Sequence, residues 1–409
     1  TPNPNPNPTP NPNPDPDPNP NPNSNPNRYK SRGMENPSAV ELCRAQCRKV
    51  ISSDPTNEAA TIILSETLFD SESPGAAIAP LEELLGRVPN NYHALEKIII
   101  LLRRSGRLQE VPPFLKNAVA SDSRAVSHSG YNFCQGLYNR YTNDPIKAVI
   151  AFNQCRRDKD WGPDALVHMI ELYLNPDNDA VWVDGGVADD GGAEHITVAE
   201  SLLTELEPKA RDKRRFQVLK NYCALATRQK SRCEEAMKSF IQLLDDDMDY
   251  LPAVLGMATG FMVEKSANKA RNLLRRVGSL EIKSSDGEDF EKANLLLAKF
   301  YIDKGNYQNA QDLCKRCLAQ NKSCSAAWEI LGMGMERESD FSRAAECYEK
   351  AWALEFEASA PIGYKLAFSY LQEQRHVDAI NICEKVLERF PDYPRIGTEI
   401  LKKAQLAVR

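Results

Sequence analysis

The sequence predicts an all-α superhelical solenoid preceded by a disordered, Asn-Pro-rich tail. Three observations lead there. Small and large residues recur in step at a period of about 34 residues. A stretch from Thr1 to Asn27 is almost purely Asn-Pro, with Asp at Asp15 and Asp17. Between the repeats there is no room for a separate domain with a core of its own.

The repeat is clearest near the C-terminus. Residues 291–324 carry Leu297, Ala298, Tyr301, Gly305, Tyr307, Ala310 and Cys317. The next unit places Leu331, Gly332, Met335, Ser339, Phe341, Ala344 and Ala351 in the same register. A third gives Leu366, Ala367, Tyr370, Gln374, His376, Ala379 and Val386, closing with Pro391. The register continues upstream through Ala224 and Ala236, Ala258 and Ala270, and Gly136 and Ala148. Ala77, Leu81 and Pro89 begin the same pattern, followed by Gly106, Leu108 and Val111.

A period of this length describes a pair of antiparallel helices, A and B: the tetratricopeptide arrangement. Small residues such as Ala258, Ala270, Ala298, Ala310, Gly332, Ala344, Ala367 and Ala379 are expected where helices approach closely. Tyr301, Tyr307 and Leu313 are expected to fill the adjacent layer, and Gly305 to take a left-handed conformation at the A-to-B turn. One pair cannot bury its own apolar face, so stability must come from stacking.

The units run over about 58–91, 92–125, 129–162, 163–210, 217–250, 251–284, 291–324, 325–358 and 359–393. The array as a whole is expected over 36–393, with an acidic, glycine-rich insertion at 175–196, after a tail at 1–35. Residues 38–53 look like a lone helix B, and 394–409 like an amphipathic C-terminal capping helix. With Thr1 in place of a Met, that lone helix is expected of a fragment or processed form.

In the tail every second residue lacks an amide donor, and each Pro pushes the residue before it to extended geometry. Nothing there buries apolar area to offset the entropy of ordering.

The 409 residues carry a net charge of −6, which gives no general reason to expect nucleic acid as a partner. No apolar run approaches the ~20 residues of a membrane span, so direct membrane insertion is not expected. The basic run from Lys209 to Arg215 reads as a solvated helix flank. Eleven cysteines, an odd and scattered set, cannot form a complete disulfide framework within one chain, and suit a reduced, intracellular setting.

No catalytic pattern, cofactor or metal is expected. Asp177, Asp179, Asp184, Asp189 and Asp190 lack the spacing of an EF-hand loop. Cys314 and Cys317, with Cys324 nearby, have no second ligand pair at zinc-finger spacing and read as core thiols. Cys43 and Cys47 read the same way. His93, His128, His168, His195 and His376 belong to no triad, and no phosphate loop or nucleophile elbow is present.

Binding is a better expectation than catalysis. The concave face, lined by helix A, offers Leu295, Lys299 and Asp303, then Glu329, Met333 and Arg337, then Tyr364, Phe368 and Gln372. Lys and Asn would clamp a C-terminal carboxylate in a chaperone adaptor, the alternative reading. This mixture of apolar and oppositely charged groups suits a folded or helical protein segment better.

Several phrases are more particular than the generic repeat: Lys159–Gly162, Glu171–Asn178, Val254–Thr259, Ala270–Val277, Leu313–Cys324 and Ile362–Leu371. Across residues 36–409 the chain resembles the C-terminal part of the tetratricopeptide repeat protein 21 family, a subunit of intraflagellar transport complex A. The resemblance implies a non-enzymatic scaffold supporting retrograde ciliary transport, cilium assembly and receptor localisation. It implies WD-repeat and repeat-protein subunits of that complex as partners, together with ciliary cargo adaptors. The location implied is the cilium, at axoneme and basal body, and the cytoplasm. The Asn-Pro tail has no counterpart in the family.

Overall fold

The computed structural model describes residues 37–71, 74–174, 191–277, 287–393 and 395–408. The expected tail and most of the acidic insertion lie outside these residues.

The helices follow the repeat. After α1 (Pro37–Ser53) come α2 (Glu58–Ser71), α3 (Pro74–Arg87), α4 (Tyr92–Ser105), α5 (Val111–Ser121), α6 (Ser129–Tyr141), α7 (Pro145–Cys155) and α8 (Gly162–Leu174). Then follow α9 (Gly191–Leu206), α10 (Lys213–Ala226), α11 (Lys230–Asp246), α12 (Leu251–Val263) and α13 (Ala267–Val277). The last are α14 (Gly287–Asp303), α15 (Tyr307–Gln320), α16 (Ser325–Arg337), α17 (Phe341–Leu354), α18 (Ala360–Gln372), α19 (His376–Arg389) and α20 (Lys402–Val408).

From α2 onward the even-numbered helices through α18 are the A members and the odd-numbered ones through α19 the B members. Each packs mainly on its chain neighbours, and successive A helices also touch one another, as α10, α12, α14 and α16 do, forming an inner layer. Among the described residues no helix is long and apolar enough to cross a membrane.

The small residues of the register sit at helix crossings. Ala258, Ala270, Ala298, Ala310, Ala344, Ala367 and Ala379 are all buried. At Gly332 a Cβ would lie 2.6 Å from the Tyr348 ring, so glycine is what lets α16 lie against α17. Tyr348 is fully buried, and its hydroxyl donates to Glu336.

The turn from A to B is a repeated joint. Gly106, Asn143, Arg228, Lys265, Gly305, Ser339 and Gln374 all have φ between 54° and 79°. At Gly305 the amide reaches the Ile302 carbonyl, and the next amide, Asn306, reaches back to Tyr301. Ser339 and Asp340 repeat this with Glu336 and Met335. These bonds satisfy carbonyls that the end of an α-helix leaves open. The residue after the left-handed one then caps helix B: the side chains of Asp144, Asn306 and Asp340 accept from the amides of Lys147, Asn309 and Arg343. One residue ends a helix and the next starts the following one.

Three boundaries differ from the sequence reading. Helices α10 and α14 begin four residues earlier than units drawn from 217 and 291, because Asp212 caps α10 and acidic residues Glu288 and Asp289 occupy the first turn of α14. At the C-terminus the chain passes through a π-helical segment, Ile396–Leu401, before α20. Ile396, Ile400 and Ala404 are buried there with side chains of α18 and α19.

None of the eleven cysteines is in a disulfide, and all but the half-buried Cys347 are buried. Cys314 and Cys317 lie in the apolar core shared by α12 to α16, where burial pushes the Cys314 thiol up to about 12.

Candidate protein-binding site on the inner face

The inner layer lines a half-open cavity of about 610 Å3. Its walls come from α4, α6, α8, α10, α12 and α14, and from the turns at 323–326 and 353–356. Apolar surface is supplied by residues such as Leu172, Leu219, Leu255, Met262 and Leu295. Set among them is a connected group of charges.

Glu171, near the end of α8, accepts from Arg140 of α6 and Arg215 of α10, both at 2.7 Å. Arg215 also reaches Asp289 at 2.7 Å. Glu288, in the first turn of α14, takes Arg103 at 2.9 Å, Arg140 at 3.6 Å and the Tyr141 hydroxyl at 3.2 Å. Arg103 lies over the Tyr141 ring, 4.3 Å from its centre. His168 contacts Arg140 through Nδ1 and stacks on Phe152 with ring centres 5.2 Å apart.

The energetics follow from partial burial. Enclosure alone would raise the carboxyls of Glu171 and Glu288. For both residues the facing cations Arg140 and Lys292 win, joined by Arg215 at Glu171 and Arg103 at Glu288, and hold both carboxyls well below the usual range. Burial lowers His168 to about 4, and Arg140 beside it acts in the same direction. Its imidazole is therefore neutral at pH 7, and Nδ1 is free to accept from the guanidinium. Burial also raises the phenols of Tyr141 and Tyr222.

Of the residues expected on the concave face, Lys299 lines this cavity together with Leu295. The others do not join it. Asp303, Arg337 and Gln372 are exposed at or near the C-terminal ends of α14, α16 and α18. Glu329 pairs with Lys365, tying α16 to α18. Met333 packs between two core clusters. Tyr364 donates to Glu399 at 2.7 Å, and Phe368 meets Phe341 edge-on with ring centres 6.1 Å apart, so both give surface to packing within the chain.

The basic run 209–215 is not a uniformly solvated flank. Lys209, Arg211 and Arg214 pair with Glu205, Asp164 and Asp247, while Arg215 turns inward to Glu171 and Asp289. Arg103, Arg140, Glu171, Glu288 and His168 carried no sequence signal as a group. The positions of Arg103, Arg140, Glu171 and Glu288 near helix ends give only a weak one, since charges there are ordinary.

This is the architecture of a repeat scaffold: an array of helix pairs with a charged, partly apolar inner surface. Residues 198–405 match the family model described as the tetratricopeptide repeat protein 21 C-terminal ARM domain, and residues 58–174 match the fifth ARM repeats domain of the same family. The chain belongs to the tetratricopeptide repeat protein 21 family.

It is 41% identical over 381 residues to tetratricopeptide repeat protein 21B of Homo sapiens, covering 90% of this chain and 29% of that protein. It is 36% identical over 384 residues to tetratricopeptide repeat protein 21A of Homo sapiens, again covering 90% and 29%. A crystal structure of a tetratricopeptide repeat protein from Parabacteroides merdae aligns with TM-score 0.44 and 15% identity, covering 67% of this chain and 97% of that one. The chain thus spans less than a third of the length of these curated relatives.

Proposed function

We propose that this chain is a non-enzymatic scaffold segment of an intraflagellar transport complex A subunit, acting in retrograde ciliary transport, cilium assembly and the placing of receptors in cilia. The observation that carries the reading is membership of the tetratricopeptide repeat protein 21 family, with identity of 41% extending over 90% of the chain. Its partners are WD-repeat and repeat-protein subunits of that complex, with ciliary cargo adaptors as further ligands, and its place is the axoneme, basal body and surrounding cytoplasm. Lys299 at the cavity, and Asp303, Arg337 and Gln372 at exposed helix ends, are the groups we assign to partner contact, with Glu329, Met333, Tyr364 and Phe368 shaping the surface between them.

Affinity purification of the full 409-residue chain from ciliated cells tests the proposal. Co-purification of the WD-repeat subunits of complex A is the expected result. Recovery of chaperones alone, with none of those subunits, would overturn it.

A further inference from the structure

The contacts between neighbouring helix pairs and the contacts across the superhelical turn differ in kind. Apolar clusters run along the array: one gathers residues between Cys43 and Cys223, the next Val218 to Ala253, the next Leu251 to Leu331, the last Ala344 to Ala404. Among the described residues, none of these clusters joins a residue of α1–α8 to one of α14–α20.

Yet these two arms meet, and the hydrogen bonds and ion pairs that join them are specific. Arg103, Arg140 and Tyr141 converge on Glu288, and Arg103 also faces Glu291 at 3.9 Å. The Lys322 amide, in the turn before α16, donates to the Arg104 carbonyl at 2.9 Å. The Asn143 side chain donates to Glu355 at 3.0 Å. Gly106 and Gly287 permit the approach: a Cβ on Gly106 would come within 3.2 Å of the Lys322 Cβ, and one on Gly287 within 2.8 Å of the Arg104 guanidinium. These partners are separated by 147 to 212 residues along the chain where side chains bond.

We propose that the array is a ring held shut by this polar latch, which opens between α4–α6 and α14–α16 without unfolding either arm and so uncovers the inner cavity. The arms are joined continuously through α9–α13, whose apolar contacts survive opening. Partly exposed ion pairs bring only a modest net stabilisation, whereas each apolar seam along the array resists water over a large area. Among the described residues the latch is therefore a weaker boundary than the apolar seams. Because the cavity takes its walls from both sides of the latch, a partner that fills it meets the closed ring, and one too large for it must first open the ring.

Hydrogen exchange at the Lys322 amide reads the latch directly, since its acceptor lies on the other arm. The full chain is compared with Glu288→Ala, and the unaltered chain is followed from 0.1 M to 1 M salt, conditions under which the screening length falls from about 10 Å to about 3 Å. The expected result is an increase of at least tenfold in Lys322 exchange in both experiments, with the helical amides of Leu101 and Leu297 unchanged. An unchanged Lys322 rate would overturn the proposal. So would a rise shared in equal measure by Leu101 and Leu297, because opening would then be unfolding. Should Glu288→Ala fail to fold, the salt series on the unaltered chain decides alone.

Discussion

Where α16 lies on α17, Gly332 admits the Tyr348 ring and almost no water reaches the contact. Where α4 and α6 face α14, Arg103 and Arg140 meet Glu288 in a half-open cluster of charges. The first contact joins residues 16 positions apart and depends on shape; the second joins residues up to 185 apart and depends on charge. Shape complementarity holds the array as a stack, and charge sets how far the stack closes on itself. Each kind of contact should fail in its own way.

The largest effect is expected in the stack. Tyr348→Ala should cost about 3–5 kcal/mol, the usual range for deleting a buried aromatic ring, read by denaturant unfolding of the full chain. Exchange should accelerate in α16–α18 before it does in α2–α5, because neighbours in a linear array loosen first. A uniform loss of protection would show that the stack is more cooperative than its separate clusters imply.

The charged side is best probed by pH. His168 has a folded value of about 4 against 6.5 for a free imidazole, so the fold favours its neutral form. Stability is then full above pH 6.5 and is lost as pH falls from 6.5 toward 4. Glu171 and Glu288, held low, keep their contribution until the pH drops below the ordinary carboxylate value near 4.5. Between pH 6.5 and 4.5 the unaltered chain should therefore lose about 2 kcal/mol relative to His168→Gln, by linkage. Parallel pH profiles would remove His168 from the network.

Ala310→Leu tests the register itself. Ala310 is buried where α15 meets α14, and the added bulk should cost about 1–3 kcal/mol in thermal or denaturant unfolding. An unchanged midpoint would undo the assignment of small residues to helix crossings.

The smallest effects belong to the joints. Gly305 has φ of 73° and open space around its α-carbon, so Gly305→Ala meets only backbone strain and should cost about 1 kcal/mol. Ser339 holds the equivalent position at 63°, and Ser339→Gly should gain about 0.5 kcal/mol by relieving the same strain. Opposite signs in paired unfolding experiments are the expected outcome.

The stack was legible in the sequence because its determinants are local. An alanine or glycine at a crossing, a left-handed residue and an Asp or Asn cap all recur within one unit, so the unit advertises itself. The ring was not legible. Arg103 and Glu288 approach only because small rotations accumulate over several pairs, and no short pattern records that sum. For the same reason Arg215 read as one more solvated charge in a basic run. Tyr364 and Phe368 were legible as helix A residues, but the Glu399 and Phe341 that occupy them belong to other elements.

The thiols carry a practical consequence. A group raised to about 12, as Cys314 is, exists as thiolate in only about one molecule in 10⁵ at pH 7, and thiolate is the form that oxidants and alkylating reagents attack. Buried thiols raised in this way, such as Cys155, Cys314 and Cys383, are thus chemically quiet while the chain is folded. Cys347, half-buried, is the cysteine most open to a dye or probe, and the rate at which buried thiols such as Cys314 become reactive serves as a clock for the opening of the helices around them.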